Sequence, residues 1–341
     1  ESSAASDVYK RQMSALAGRL TRLMMSHAMM WLALVIMAAT GLYALTAGAV
    51  SRSQSDFGVV FASPDQWVAD NHRLSFWLNI AALGCICILM HFITRAYKVP
   101  RTMTVVHITL FAVMCAATPM LTVGLCSGTV VCLLTGVAMV LMFSCFGNPR
   151  PQRRVFLAFF ILSGAASCQY AFAVYIPVFL AACAQMRIFT LRTVLAALLS
   201  IITPWWLLFG FGVITLDDLH LPQIVSIFAS IDLGRAIVLL TTVALTVVLT
   251  VASYLLTVLK LITYNAQTRA RNGFLTLLTL VTAIAMVIDY SNLTAYLTLF
   301  NFCASFMLAH LITIHAGEKS GVGIVLIIIT YLSLYVWTLA I

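Results

Sequence analysis

Charge is what this sequence has little of: Asp, Glu, Lys and Arg together make up 9% of its 341 residues, against 62% hydrophobic. A soluble domain needs a polar surface, and that composition cannot supply one. Eleven apolar stretches carry no charged residue at all, which speaks against the buried acid, His or Lys through which ion- and proton-coupled transporters usually work. There is also no CxxC pair and no Cys/His cluster with zinc spacing, so no metal site or cofactor is expected. The nine cysteines, including Cys85, Cys115, Cys132 and Cys303, sit mostly inside apolar runs and read as small buried apolar residues. A cleavable signal peptide is not evident. Arg19 and Arg22 precede an apolar run, but Met29 to Val50 is too long for a signal core and is expected to stay as an anchor.

What is present is a succession of apolar runs joined by short loops, with no room for a soluble domain beside them. The expected fold is an all-α polytopic transmembrane helical bundle of about 11 spans with the N-terminus inside. Candidate spans run near residues 29–50, 74–93, 102–119, 126–146, 155–168, 171–186, 193–214, 236–259, 274–288, 293–314 and 322–341. Residues Ser2 to Gln12 resemble a translated sequencing adapter, so 1–12 are set aside as a scar and 13–341 are taken as a single integral membrane domain.

The net charge of +9 is dispersed over short loops rather than gathered on one face, so orientation explains it and nucleic acid is not an expected partner. With the N-terminus inside, fourteen basic residues fall in inner loops and only Arg52, Arg73 and Arg235 outside, the asymmetry that sets orientation during insertion. The acids Asp56, Asp65, Asp70, Asp217, Asp218, Asp232 and Asp289 fall outside, with Glu318 alone inside.

Residues 155–186 are the ambiguous stretch. One straight helix there would be about 48 Å long against a hydrocarbon core of about 30 Å, whereas a break near Gln169 gives two short helices of roughly 21 to 24 Å. Charge decides between them. A hairpin leaves six of the seven following basic residues inside and one outside, while a single span reverses that ratio. The tip around Cys168, Gln169 and Tyr170 must then be buried in protein or lie at the floor of an outward cavity, because short helices still need their backbone groups satisfied. The stretch 274–288 is also short and suggests a second recess on the same side.

Candidate sites follow from this layout. Gln169, Tyr170 and Tyr175 at the hairpin, with Pro204 as a wall, are the cavity or binding candidates; two tyrosines there either pack the tip or line a pocket for an isoprenoid chain or sugar. Asp56, Asp65, Asp217 and Asp218 are the candidate catalytic or metal-binding acids, since outer-loop carboxylates supply a general base or hard oxygen ligands. Asp217-Asp218 with His220 reads either as a cation site or as a solvated turn. Among polar residues within spans, Asn79, His107, Asn301 and His310 read as packing groups first. Gly124-Leu-Cys-Ser-Gly128 has GxxxG spacing and reads as a turn or an intramolecular helix contact before a dimer interface.

The hairpin followed by Arg187-Ile-Phe-Thr-Leu-Arg192 and by Leu195-Ala-Ala-Leu-Leu-Ser-Ile-Ile-Thr-Pro204-Trp-Trp-Leu-Leu-Phe-Gly210 resembles a family of uncharacterised multi-pass bacterial inner-membrane proteins, best over residues 147–214. The resemblance implies the bacterial cytoplasmic (inner) membrane and carries no activity; it also implies a Gly near Ser200, from which this chain departs. Three function classes remain open: an accessory or scaffold component of envelope biogenesis, a polyprenyl-linked glycosyltransferase-like enzyme, or a carrier for a neutral or amphipathic solute. The partners expected are the bilayer and a lipid-linked ligand or membrane protein.

Overall fold

The computed structural model describes residues 18–48, 58–99, 105–219, 224, 233–261, 264–314 and 320–340. A helical stretch at 18–24 precedes eleven longer α-helices. They are α1 (His27–Ala47), α2 (His72–Tyr97), α3 (Val106–Ala116), α4 (Ser127–Phe143), α5 (Gln152–Ala165), α6 (Ala171–Gln185), α7 (Leu191–Gly210), α8 (Leu233–Leu261), α9 (Ala266–Ile288), α10 (Leu293–Ile314) and α11 (Ser320–Ala340). No strand occurs among the described residues. Seven helices (α1, α2 and α7 to α11) are long and apolar enough to cross a membrane; α3, α4 and α6 are apolar but shorter. Large apolar side chains such as Trp31, Leu199, Ile202, Trp206, Leu255 and Leu326 stand on the outer surface, which suits lipid rather than water.

Local chemistry sets the boundaries. Ser26, Asn71, Thr190 and Asn265 each accept a hydrogen bond from the backbone N–H three residues on and so start α1, α2, α7 and α9. Lys98 and Arg187 follow the ends of α2 and α6 in the left-handed region, with φ of 55° and 58°, placing cations at the negative helix ends.

The expected break near Gln169 is present: α5 ends at Ala165, α6 starts at Ala171, and the two pack against each other as a hairpin. Two other expectations change. In the run 102–119, described from 105 onward, the eleven-residue α3 is buried at every residue and is followed by a 3-10 turn at Pro119–Leu121. Pro119 has no N–H to continue the helix. The run 274–288 is instead part of the 23-residue α9, which starts eight residues earlier at its Asn265 cap and takes in Arg269 and Arg271. It is not short, so the second recess expected there has no basis.

The core sits around α10, of which 94% of the apolar stretch is buried. It packs against α3, α4, α8, α9 and α11. Gly128 permits the closest of these approaches, since a Cβ there would lie 2.1 Å from the Thr294 carbonyl oxygen. Of the Gly124/Gly128 pair it is thus Gly128 that serves an intramolecular helix contact, while Gly124 lies before the start of α4. On α8, Thr242, Thr246, Thr250, Ser253 and Thr257 are buried and each donates its hydroxyl to the carbonyl four residues back. Such back-bonding hides the hydroxyls and gives a narrow polar stripe that packs like small apolar residues.

Long-range contacts sort the chain ends of the helices into two groups. One end gathers the end of α2, the start of α3, the end of α4 and the starts of α5 and α9: Thr94 Oγ1 meets His107 Nε2 at 3.0 Å, Arg154 Nη1 donates to the Ser144 carbonyl at 2.6 Å, and Arg271 Nη1 donates to the Tyr97 carbonyl at 3.1 Å. The other end gathers residues 58–79, 121–129, 167–171 and 289–296, as set out below. Most of the described arginines lie at the first end, most of the described aspartates at the second.

Candidate functional site

The acid-bearing end of the bundle is built around the tip of the α5/α6 hairpin. The main-chain N–H groups of Val60 and Phe61 both donate to the Ser167 carbonyl, at 2.9 and 3.1 Å, so the segment before α2 lies across the tip. Gly58 is required for this. A Cβ there would sit 2.0 Å from the Phe61 carbonyl oxygen and 2.2 Å from that of Cys168.

Beneath this cover, Tyr170 donates its phenol proton to Asp289 Oδ2 at 2.6 Å. Tyr296, from the first turns of α10, donates to the same oxygen at 3.0 Å. The other carboxylate oxygen accepts from Ser291 Oγ at 3.0 Å and from Asn292 Nδ2 at 3.3 Å, and Asn292 Nδ2 also donates to the Tyr170 hydroxyl oxygen. Asp289 is the only buried carboxylate among the described residues. A buried charge is tolerable only with such donors around it. Here they come from the hairpin tip, from the 3-10 turn Tyr290–Asn292 and from α10, so one carboxylate ties three segments together.

The candidate residues named from sequence are placed as follows. Gln169 is fully buried, and neither its Oε1 nor its Nε2 has a hydrogen-bond partner among the described residues. Tyr170 is in the cluster just described. Tyr175, also fully buried, accepts a long 3.4 Å bond from Thr282 Oγ1 on α9 and is a packing group between helices. Pro204 is buried in α7 facing Gly164, where a Cβ would lie 3.9 Å from the ring, in ordinary contact. Around it, Ser163 Oγ donates to the Ile201 carbonyl at 2.6 Å and accepts from Trp205 Nε1 at 3.1 Å, while Ser200 donates to the Phe156 carbonyl. Pro204 thus belongs to the α5/α7 seam.

Of the candidate acids, Asp56 lies outside the described residues. Asp65 accepts from Ser127 N at 2.8 Å and from Ser127 Oγ at 2.6 Å, and so pins the covering segment to the first residue of α4. Asp217 is exposed, and Asp218 accepts from Thr215 N and Oγ1 at 2.7 and 2.8 Å, closing a local turn. Their proposed companion His220 lies outside the described residues. Among the described residues no group of three or more His, Cys, Asp or Glu side chains converges as metal ligands would.

The intramembrane polar residues divide. Asn79 donates to the Leu121 carbonyl and accepts from Thr129 Oγ1, both at 2.8 Å, and His107 lies stacked on Phe306 with ring centroids 5.0 Å apart. His310 makes no hydrogen bond through either nitrogen among the described residues and meets only the edge of Tyr264. Asp289 was overlooked as a site residue in sequence because it counted only as an outer charge. The signal was there, in the run Asp289-Tyr-Ser-Asn292 set between two charge-free stretches with almost no loop in which to be solvated. No protein family, curated protein or solved structure matches this chain.

Proposed function

We propose that the protein is an accessory or scaffold component of envelope biogenesis in the bacterial inner membrane, with the N-terminus inside, acting through a lipid or membrane-protein partner and not through chemistry of its own. The observation that carries this reading is the closure of the Asp289 cluster. Its carboxylate is held by donors from Tyr170, Tyr296, Ser291 and Asn292, which is how a buried charge serves architecture; a general base needs a lone pair facing substrate. Asp65 and Asp218 are likewise occupied by Ser127 and Thr215.

Mass spectrometry of the protein purified in native nanodiscs tests the proposal. A stoichiometric membrane-protein partner supports it. A polyprenyl-phosphate sugar that is consumed on incubation, with consumption abolished by Asp56→Asn or Asp65→Asn, overturns it in favour of the glycosyltransferase-like enzyme.

A further inference from the structure

At the basic end, two recesses adjoin. The first, of about 310 Å³, is lined by Gln185, Arg187, Ala266, Arg269, Ala270 and Gly273. The second, of about 380 Å³, shares Arg269 and Gly273 with it and continues between α8 and α9 past Asn272 and Thr276 to Leu277, Leu280, Val258 and Tyr254. Together they form one groove that is cationic at its mouth, amide- and hydroxyl-lined in the middle and apolar along its length. Leu280 is 56% exposed and Tyr254 borders it, so the apolar part opens to the membrane side of the bundle.

Neither Arg187 nor Arg269 makes a side-chain hydrogen bond or ion pair among the described residues, and both are exposed. No described acid lines the first recess, and two guanidinium groups at one mouth suit an anion between them. Three further features agree. Arg187 is held in the left-handed region at the end of α6, closed by Ile188 N donating to the Cys183 carbonyl at 3.0 Å, at a position where Gly is the easier residue. Gln185 Oε1 is buried in the recess without a hydrogen-bond partner among the described residues; as an acceptor it suits a hydroxyl or ammonium donor on a lipid headgroup and not the phosphate itself. The first two turns of α9 form the opposite wall at Ala266 and Ala270, and the positive end of a helix favours an anion nearby. Gly273, shared by both recesses, keeps the passage open, since a Cβ there would come within 3.4 Å of Gln185 Oε1.

We propose that this groove binds one anionic phospholipid of the leaflet bordering the basic end, its phosphate between Arg187 and Arg269 and an acyl chain along Leu277, Leu280 and Val258. Basic pockets between transmembrane helices are the kind of site such headgroups occupy. The apolar continuation is what selects a lipid over free phosphate. This goes beyond the accessory reading and does not depend on it: a protein partner can be found or missed whatever happens at the groove.

The test is native mass spectrometry of the full chain released from nanodiscs containing phosphatidylglycerol, cardiolipin and phosphatidylethanolamine. Wild type and the charge-matched control Arg153→Gln with Arg192→Gln are expected to retain one anionic lipid. Each arginine near an anionic headgroup contributes roughly a fivefold factor, so Arg187→Gln with Arg269→Gln is expected to lower retention roughly 25-fold. Gly273→Leu, which keeps both charges but blocks the passage, is expected to lose it too. Equal retention in wild type and the Arg187/Arg269 double variant overturns the proposal. So does full retention in Gly273→Leu, or displacement by inorganic phosphate as readily as by lipid, which would make this a free-phosphate site.

Discussion

Tyr170 and Asp289 lie 119 residues apart in sequence and meet through a 2.6 Å hydrogen bond from phenol to carboxylate. The bond joins the tip of the short hairpin to the link between α9 and α10, so the position of the hairpin and that of the central helix are set by the same group.

Asp289→Ala removes the acceptor for two buried phenols and is expected to destabilise the protein by several kcal/mol, at about 1–3 kcal/mol for each donor left unpaired. Tyr170→Phe removes one bond and is expected to cost less, with Asp289→Asn between them. Thermal unfolding of the purified protein in detergent reads the order. An unchanged midpoint in Asp289→Ala would mean that the cluster does not hold the hairpin.

Gln169 carries the opposite expectation. Its buried carboxamide has no partner, and replacing both polar atoms by an apolar side chain of similar shape removes a penalty of about 1–3 kcal/mol. Gln169→Met is therefore expected to raise the unfolding midpoint. A fall would show that the amide is used.

Gly128→Ala must separate α4 from α10, because its Cβ would be placed 2.1 Å from a main-chain oxygen that has no softer position to move to. Gly323 on α11 has nothing within 4 Å of the same atom. Alanine is expected to abolish folded expression at 128 and to be tolerated at 323, as judged by size-exclusion profiles.

Phe189, 60% exposed in the turn between α6 and α7, reports on sidedness. With Cys85 and Cys168 changed to Ala, Phe189→Cys is expected to react with thiol reagents only from the cytoplasmic side, since the hairpin returns the chain to its basic end. Labelling from outside would reverse the proposed orientation.

The break between α5 and α6 was legible because length and charge pointed the same way: the apolar run is too long for one crossing, and the next loops are basic. The all-helical class followed from composition alone. Boundaries set by single residues were not, as α3 shows, where Pro119 and its neighbours end the helix at Ala116 inside an apolar run. The start of α9 was hidden for the converse reason. Arg269 and Arg271 read as loop charges, yet Arg271 is buried with its guanidinium 4.8 Å from the centre of the Tyr97 ring and bonded to the Tyr97 carbonyl, a pairing with a residue 174 positions away that no local pattern reveals. The Asp289 cluster is a meeting of distant segments in the same sense. Tyr170 was visible as an aromatic at the tip, but its partner was fixed only by the folded chain.

The burial of α10 bears on how the protein is made. This helix is the hub of the bundle but leaves the ribosome after α3, α4, α8 and α9, against which it packs, since it begins only at Leu293. Until it arrives, the faces of α3 and α4 that will enclose it, with Thr298 opposite Gly128, have no neighbour but lipid. Chains that stall before it therefore present an unfilled seam to the quality-control proteases of the membrane, and assembly of the early helices is completed from the C-terminal side inward.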